Sequence, residues 1–416
     1  MNQVKLRYRS TFTLLSICVL VTLYINTSYL DPFNLAKFHL IVLLLPTICY
    51  FFVKNFRIIL KNQFIPLVLA GLFLLSFIPA LITQDNLYDF AFGTYGRNLG
   101  FLTYLFCVLL MLTISGSYEI SQARLLLIVL VSLSIVQIIY GLMQTNNQDF
   151  ISWNNPFNPL ITTFGNPNYA SAFFGTMGTA LTVLSVQSWL PPFWRLVTFS
   201  SVVCVVILLL RSNSIQGLAS LSLGVSLLLA SFLMYKRKIF GVIFSGFILL
   251  VGFFSVLGLL QFGPLSSILY QTSISARGDY WRAGVRMLSD YPVTGVGIER
   301  FGDNFLLYRD LAQAQGRNFN TFSDNAHSVP IQMFATGGLF LGIAYLLLIL
   351  LGVVSSYRTL FKSQEFVSIQ TLPSLIYLTT LLPCLISIDN IGNMVWTWLS
   401  LGAVFSGSSW KIRNEK

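Results

Sequence analysis

The chain has 416 residues, 55% of them hydrophobic and only 9% charged, with a mean hydropathy of +0.74. Soluble domains carry about 25% charged residues, so polar side chains here are too few to coat a water-exposed globule. An aromatic content of 15% excludes a disordered chain. What remains is a polytopic membrane protein.

A membrane-spanning helix needs roughly 20 predominantly apolar residues. Taken in chain order, the sequence predicts twelve such spans, at 11–30, 36–53, 63–82, 98–115, 124–143, 167–187, 195–211, 215–234, 239–261, 328–353, 366–386 and 391–408. Their apolar runs are continuous rather than alternating, so the expected fold class is an all-α transmembrane bundle and not a β-barrel. With the amino terminus inside, sixteen of the 25 basic residues but only three of the 14 acidic ones fall in inner segments. This positive-inside bias predicts that both termini are cytoplasmic. The net charge of +11 is therefore a topology signal and not a nucleic-acid footprint. All five cysteines (Cys18, Cys49, Cys107, Cys204, Cys384) lie within predicted spans, which leaves no disulfide framework outside them. The apolar run after Lys5, Arg7 and Arg9 is too long for a signal peptide and is expected to be a retained first span.

Three units follow: 1–261 with nine spans, a large outer loop at 262–327, and 328–416 with three spans and a short tail. Residues 276–290 of the loop read as a helix that ends before Pro292. On its wheel Arg277 shares a face with Trp281, Gly284 and Leu288, whereas Asp279, Arg282 and Arg286 lie on the opposite, wetter face. A buried arginine needs an anionic partner. The stretch from Tyr291 to Gly297 is rich in turn residues and would bend the chain back to the bundle.

The chain has two histidines. His39, near the end of the second span, reads as a packing or interfacial residue. His327 stands in Ser323-Asp324-Asn325-Ala326-His327-Ser328, where the loop re-enters the membrane. Its polar surroundings suit a proton acceptor, although a helix-entry residue bonded to a carbonyl or headgroup fits as well. Arg97, Arg211 and Arg277 are expected at the outer interface, where planar guanidinium groups match phosphate oxygens. Headgroup snorkelling is the alternative for each. No zinc spacing, Walker loop or nucleophile elbow is present, and the Asp85/Asp89 pair is too sparse to hold a metal-bound diphosphate. No metal or cofactor is therefore expected. The spans lack mid-membrane charge, which argues against an ion-coupled carrier.

Four segments together resemble the O-antigen ligase and polymerase superfamily. They are Arg277-Gly278-Asp279-Tyr280-Trp281-Arg282-Ala283, Pro292-Val293-Thr294-Gly295-Val296-Gly297, Asn325-Ala326-His327-Ser328 and Thr336-Gly337-Gly338-Leu339-Phe340-Leu341-Gly342. Phe164-Gly165-Asn166-Pro167-Asn168 resembles a turn before a mid-chain span of that family. The resemblance implies a metal-independent glycosyltransferase at the outer face of the bacterial inner membrane. Such an enzyme moves a glycan from an undecaprenyl-diphosphate carrier to a hydroxyl of a glycan, lipid or protein acceptor. It also implies that Arg277 and His327 are catalytic and that Arg277, Arg211 and Arg97 bind the donor diphosphate among membrane lipids. The family's Ser-Arg-Gly signature is missing its arginine here: Ile215 occupies that position, and Arg211 lies one helical turn earlier. A membrane transporter, as in superfamily members linked to inorganic-carbon uptake, is the alternative reading. Polymerase and ligase share the same chemistry and are not separated by sequence.

Overall fold

The computed structural model describes residues 2–153, 160–259, 263–264, 272–310, 322–361 and 368–407. Arg317, Lys362, Glu365, Lys411, Arg413, Glu415 and Lys416, which entered the charge reckoning above, lie outside these residues, as do the predicted span ends at 261, 366–367 and 408.

Among the described residues the fold is all-helical. Its long helices are α1 (Asn2–Leu23), α2 (Asn34–Asn62), α3 (Phe64–Leu75), α5 (Phe101–Ser117), α6 (Ala123–Thr145), α7 (Pro167–Ser185), α8 (Pro192–Arg211), α9 (Ile215–Lys236), α10 (Lys238–Leu259), α11 (Thr272–Asp290), α13 (Val329–Phe361), α14 (Leu372–Ile386) and α15 (Ile391–Gly407). Two short ones, α4 (Leu87–Phe92) and α12 (Phe301–Tyr308), lie in connections.

Each of the twelve predicted spans overlaps a helix, the first displaced from 11–30 to Asn2–Leu23, but only nine helical segments among the described residues are long and apolar enough to cross a membrane. The other three are α5 and α15, of 17 residues each, and α7, which like α15 mixes Asn, Ser, Thr and Gly with its apolar residues. These three are also largely enclosed by neighbours: α5 packs on α15 and α2, and α7 on α9 and α8. A helix wrapped by protein needs less hydropathy than one facing lipid, because its hydroxyls find partners inside the bundle. Thr179 and Ser400, for example, donate to carbonyls one turn back, at 3.1 and 2.6 Å. Helices α7 and α9 approach so closely that a Cβ on Gly175 would stand 2.2 Å from the Gly217 carbonyl oxygen.

The segment after α10 has a small core of its own. Ala283, Met287, Val296, Phe301, Phe305, Ala326 and Ala335 are buried together, separate from the main bundle core. Helix α11 begins four residues earlier than expected and lays this face on the start of α13. Asp279, expected on the wet face, is instead only 9% exposed, paired with the half-exposed Arg282. The neighbouring guanidinium makes its burial tolerable.

Helix α13 is broken at Gly338, whose φ of 75° and ψ of −172° lie outside the helical region. A break frees carbonyls and amides that lipid cannot satisfy. The Pro292–Gly297 turn supplies the partners. Val296 N–H donates to the Ala335 carbonyl at 3.0 Å, Gly297 N–H to the Thr336 carbonyl at 3.1 Å, and Leu339 N–H to the Pro292 carbonyl at 2.8 Å. Two glycine-rich motifs 40 residues apart are thus halves of one joint. A Cβ on Gly338 would sit 2.4 Å from the Val293 oxygen.

Candidate active site

The joint places the start of α13, and the loop before it, beside α11. That loop is held by side chains. Asn325 Oδ1 accepts from His327 N–H at 3.0 Å, Gln332 Oε1 accepts from Ala326 N–H at 3.0 Å, and Ser323 Oγ donates to the Asn325 carbonyl at 2.7 Å. The first is an Asx turn, the bond that an Asn two residues before a tight bend is built to make. His327 adopts φ 51°, unusual for a residue with a side chain, and such a conformation persists only where the surroundings enforce it.

The His327 ring lies against Tyr280 of α11, centroids 5.3 Å apart. Burial lowers its pKa to about 4, with Arg277 and Arg97 adding to the effect and Asp324 opposing it. His327 is consequently neutral at pH 7 and has a lone pair free to accept a proton. Arg277, on the adjoining face of α11, is 9% exposed, and its Nε and Nη1 are buried without a hydrogen-bond partner. Burial lowers its pKa as well, yet an arginine keeps its proton at any relevant pH. Two unmet donors on a buried guanidinium describe a place prepared for an anion.

Arg97 lies in the turn between α4 and α5. Its Nε and Nη2 reach Asp324 Oδ2 at 2.8 and 2.7 Å, and its Nη1 donates to the Tyr169 hydroxyl at 2.9 Å. Its fork is thus largely committed to holding the His327 loop against α7. Arg211 ends α8 and donates to Thr145 Oγ1 at 3.1 Å and Asn146 Oδ1 at 3.4 Å at the close of α6. The charges acting on His327 are Arg277, Asp324 and Arg97, and Arg211 is not among them. The fold therefore brings together His327, Arg277 and Arg97 and leaves Arg211 on a different seam. His39 packs edge-on against Tyr29, centroids 5.2 Å apart. Asp85 pairs with Arg300 at 2.7 Å, while Asp89 sits in the first turn of α4. Among the described residues no three His, Cys, Asp or Glu side chains converge as a metal site would require.

Several residues at this end escaped the sequence reading. Glu299, at φ 61°, is 8% exposed and accepts from Thr94 Oγ1 at 3.2 Å. Asp389 lies in the turn between α14 and α15 and is also 8% exposed. Burial raises the pKa of both carboxyls to about 7. They line one narrow cavity of about 350 Å³ with Asn325 and Gln332. A second cavity, of about 340 Å³, shares Asp389 and is lined by Tyr169 and Gln216. Gln216, adjacent to the position where the family's arginine is missing, is 2% exposed, and both its amide atoms lack partners. These residues come from five separate stretches of chain, so no local spacing could have marked them. Asp324 and Asn325 stood beside His327 in sequence, and Gln216 beside Ile215. Lys37, in the first turn of α2, is fully buried and holds two loops together, donating to the Tyr24 and Thr163 carbonyls at 2.9 and 2.6 Å.

No curated protein matches the chain. Residues 199–346 match the family model described as O-antigen ligase. That match takes in Arg211, Arg277, the Pro292–Gly297 turn, His327 and the break at Gly338, and in this stretch the chain is similar to O-antigen ligases.

Proposed function

We propose that this protein transfers a glycan from an undecaprenyl-diphosphate carrier to an acceptor hydroxyl, without a metal, at the outer face of a bacterial inner membrane. The observation that carries this reading is the pairing of a buried guanidinium at Arg277, whose Nε and Nη1 are unmet, with a neutral histidine at His327. Breaking the anomeric C–O bond leaves negative charge on the departing lipid diphosphate. A fixed arginine already stripped of water stabilises that charge in place of a metal. The acceptor hydroxyl becomes a competent nucleophile when His327 takes its proton. Single displacement of this kind inverts the anomeric carbon.

Donor and base are electrostatically coupled. Arg277 is one of the groups that hold the His327 pKa low. A diphosphate bound at Arg277 offsets that positive charge and raises the basicity of His327. The base therefore strengthens once the donor is seated, which favours donor binding before acceptor attack. Arg97 supports the loop that carries His327, and Arg211 contributes to the donor's path from the α6–α8 side. In this reading the bundle has twelve spans with both termini cytoplasmic, and the units are 1–261, the outer loop 262–327 and 328–416. Neither the match nor the geometry favours a transporter.

The direct test uses purified protein, an undecaprenyl-diphosphate oligosaccharide and candidate hydroxyl acceptors, with product size read on a gel. Transfer with free undecaprenyl diphosphate as co-product, persisting in EDTA, is the expected result. Loss of transfer on chelation, restored by magnesium or manganese, contradicts the metal-free mechanism. Chain growth on a glycan acceptor marks a polymerase, and a single addition to a lipid or protein marks a ligase.

A further inference from the structure

The base of the proposed reaction is fixed at its backbone but not by a bond to its ring. His327 N–H donates to Asn325 Oδ1 at 3.0 Å and its φ of 51° sets the bend, yet among the described residues neither ring nitrogen takes a hydrogen bond. An imidazole without such a bond turns about its χ angles unless packing stops it. The packing comes from Tyr280 of α11, whose ring lies 5.3 Å from the imidazole at an angle of 32°. Tyr280 is itself gripped. Phe305 of α12 meets it edge-on at 5.4 Å and 77°, and Phe301 stacks on Phe305 at 6.0 Å and 24°. Phe301 and Phe305 are both buried in the small core of this segment. Phe322, five residues before His327, closes on Phe305 edge-on at 6.4 Å and 89°. A line of rings thus runs from that core to the base. The same side chain faces the arginine. Tyr280 follows Arg277 by three residues, which makes the two surface neighbours on α11, and it is near enough to act on the Arg277 charge.

We propose that Tyr280 is a positioning residue for transfer, fixing the plane of the His327 imidazole and its spacing from Arg277. The inference rests on the transfer reading above. Single displacement needs the attacking hydroxyl and the departing diphosphate on opposite sides of the anomeric carbon. The base must therefore stand at a set distance from the group that grips the diphosphate, and about an ångström of drift is costly. A flat ring clamped by Phe305 supplies that distance without occupying a ring nitrogen, so the imidazole keeps its lone pair for the acceptor. Burial is the main cause of the low His327 pKa, with Arg277 of α11 and Arg97 of the turn before α5 adding to it and Asp324 of the loop opposing it. The Tyr280 ring covers one face of the imidazole and contributes to that burial.

The test pairs transfer kinetics with titration of the imidazole by NMR, both in full-length protein carrying His39→Gln, which leaves His327 as the one histidine observed. Tyr280→Phe keeps the ring face and should match the parent in both measurements. Tyr280→Ala should lower kcat by about tenfold or more with little change in donor KM. In that variant the imidazole should also titrate higher, away from about 4 and toward the ordinary 6.5, because water reaches the uncovered face. Tyr280→Leu keeps apolar bulk without a flat face and should slow transfer likewise, which holds the test if the alanine variant folds poorly. Met287→Ala, in the same small core about two turns further along α11, should lower the melting temperature and leave kcat unchanged. A wild-type kcat with an unmoved titration in Tyr280→Ala overturns the proposal, as does an equal loss of kcat in Tyr280→Phe or Met287→Ala. A titration that moves in Tyr280→Ala, in a protein that transfers no glycan, upholds the contact and sinks the transfer reading instead.

Discussion

Arg97 and Asp324 stand 227 residues apart in sequence and meet as a two-pronged ion pair, Nε and Nη2 on one carboxylate oxygen at 2.8 and 2.7 Å. The pair pins the loop three residues before His327 to the turn that opens α5. Asp324→Asn should therefore slow transfer by about tenfold or more through misplacement of His327, with little change in donor affinity. Arg97→Ala should do the same, and the double variant should be no worse than either single one. Fully additive losses in the double-mutant cycle would show that the two residues act separately.

Arg277 is expected to trade stability for function. Its buried donors have no partner in the free protein, so Arg277→Met removes an uncompensated charge and should hold or raise the melting temperature. The same change should abolish donor binding. Arg277→Lys should restore only part of it, because a point charge lacks the bidentate fork. A clear loss of thermal stability in Arg277→Met would mean that the arginine serves the fold.

The pH profile should carry the mark of a depressed histidine. In the donor-free protein His327 titrates at about 4 instead of the ordinary 6.5, so kcat/KM for donor should show no acid limb from His327 near 6.5. The limb in kcat should lie at higher pH than that in kcat/KM, because the bound diphosphate offsets Arg277. His327→Ala should slow transfer by about 10²–10⁴-fold with donor binding intact. Stability follows the same group. The unfolded chain takes up a proton at His327 near 6.5 and the folded one near 4. This contribution is full above about 6.5 and is lost as pH falls toward 4. Coincident acid limbs in the two kinetic profiles would sink the coupling.

Gly338→Ala tests the joint between the loop and α13. The added methyl would meet the Val293 carbonyl at 2.4 Å, in a backbone conformation that side chains rarely adopt. Destabilisation by roughly 1–3 kcal/mol is expected. Hydrogen exchange should rise at Val296, Gly297 and Leu339, whose amides make the joint. Unchanged protection there would show that the turn docks by other means.

Topology is read by labelling single engineered cysteines with an impermeant reagent in intact cells. Ser289, exposed on α11, should react from outside, and Ser188, exposed between α7 and α8, should be protected. The native cysteines lie within helices and provide a low background. The reverse pattern would invert the orientation proposed for the bundle.

Composition and hydropathy determined the class. A chain with 9% charge has no soluble solution, and every predicted apolar segment overlaps a helix, because lipid leaves the backbone no other partner. The order of motifs around Arg277 and His327 was also legible, since each motif is local: an arginine on a helix face, a glycine turn, an Asx turn before a span. Hydropathy failed to separate lipid-facing helices from α5, α7 and α15, because burial by neighbours is not written in a single segment. The pairing of Arg97 with Asp324, the docking of Pro292–Gly297 on the break at Gly338, and the burial of Glu299, Asp389 and Gln216 needed the tertiary structure. Each joins stretches far apart in sequence. A guanidinium's partner and a histidine's pKa are set by what surrounds them in space, and only the packed bundle fixes those surroundings.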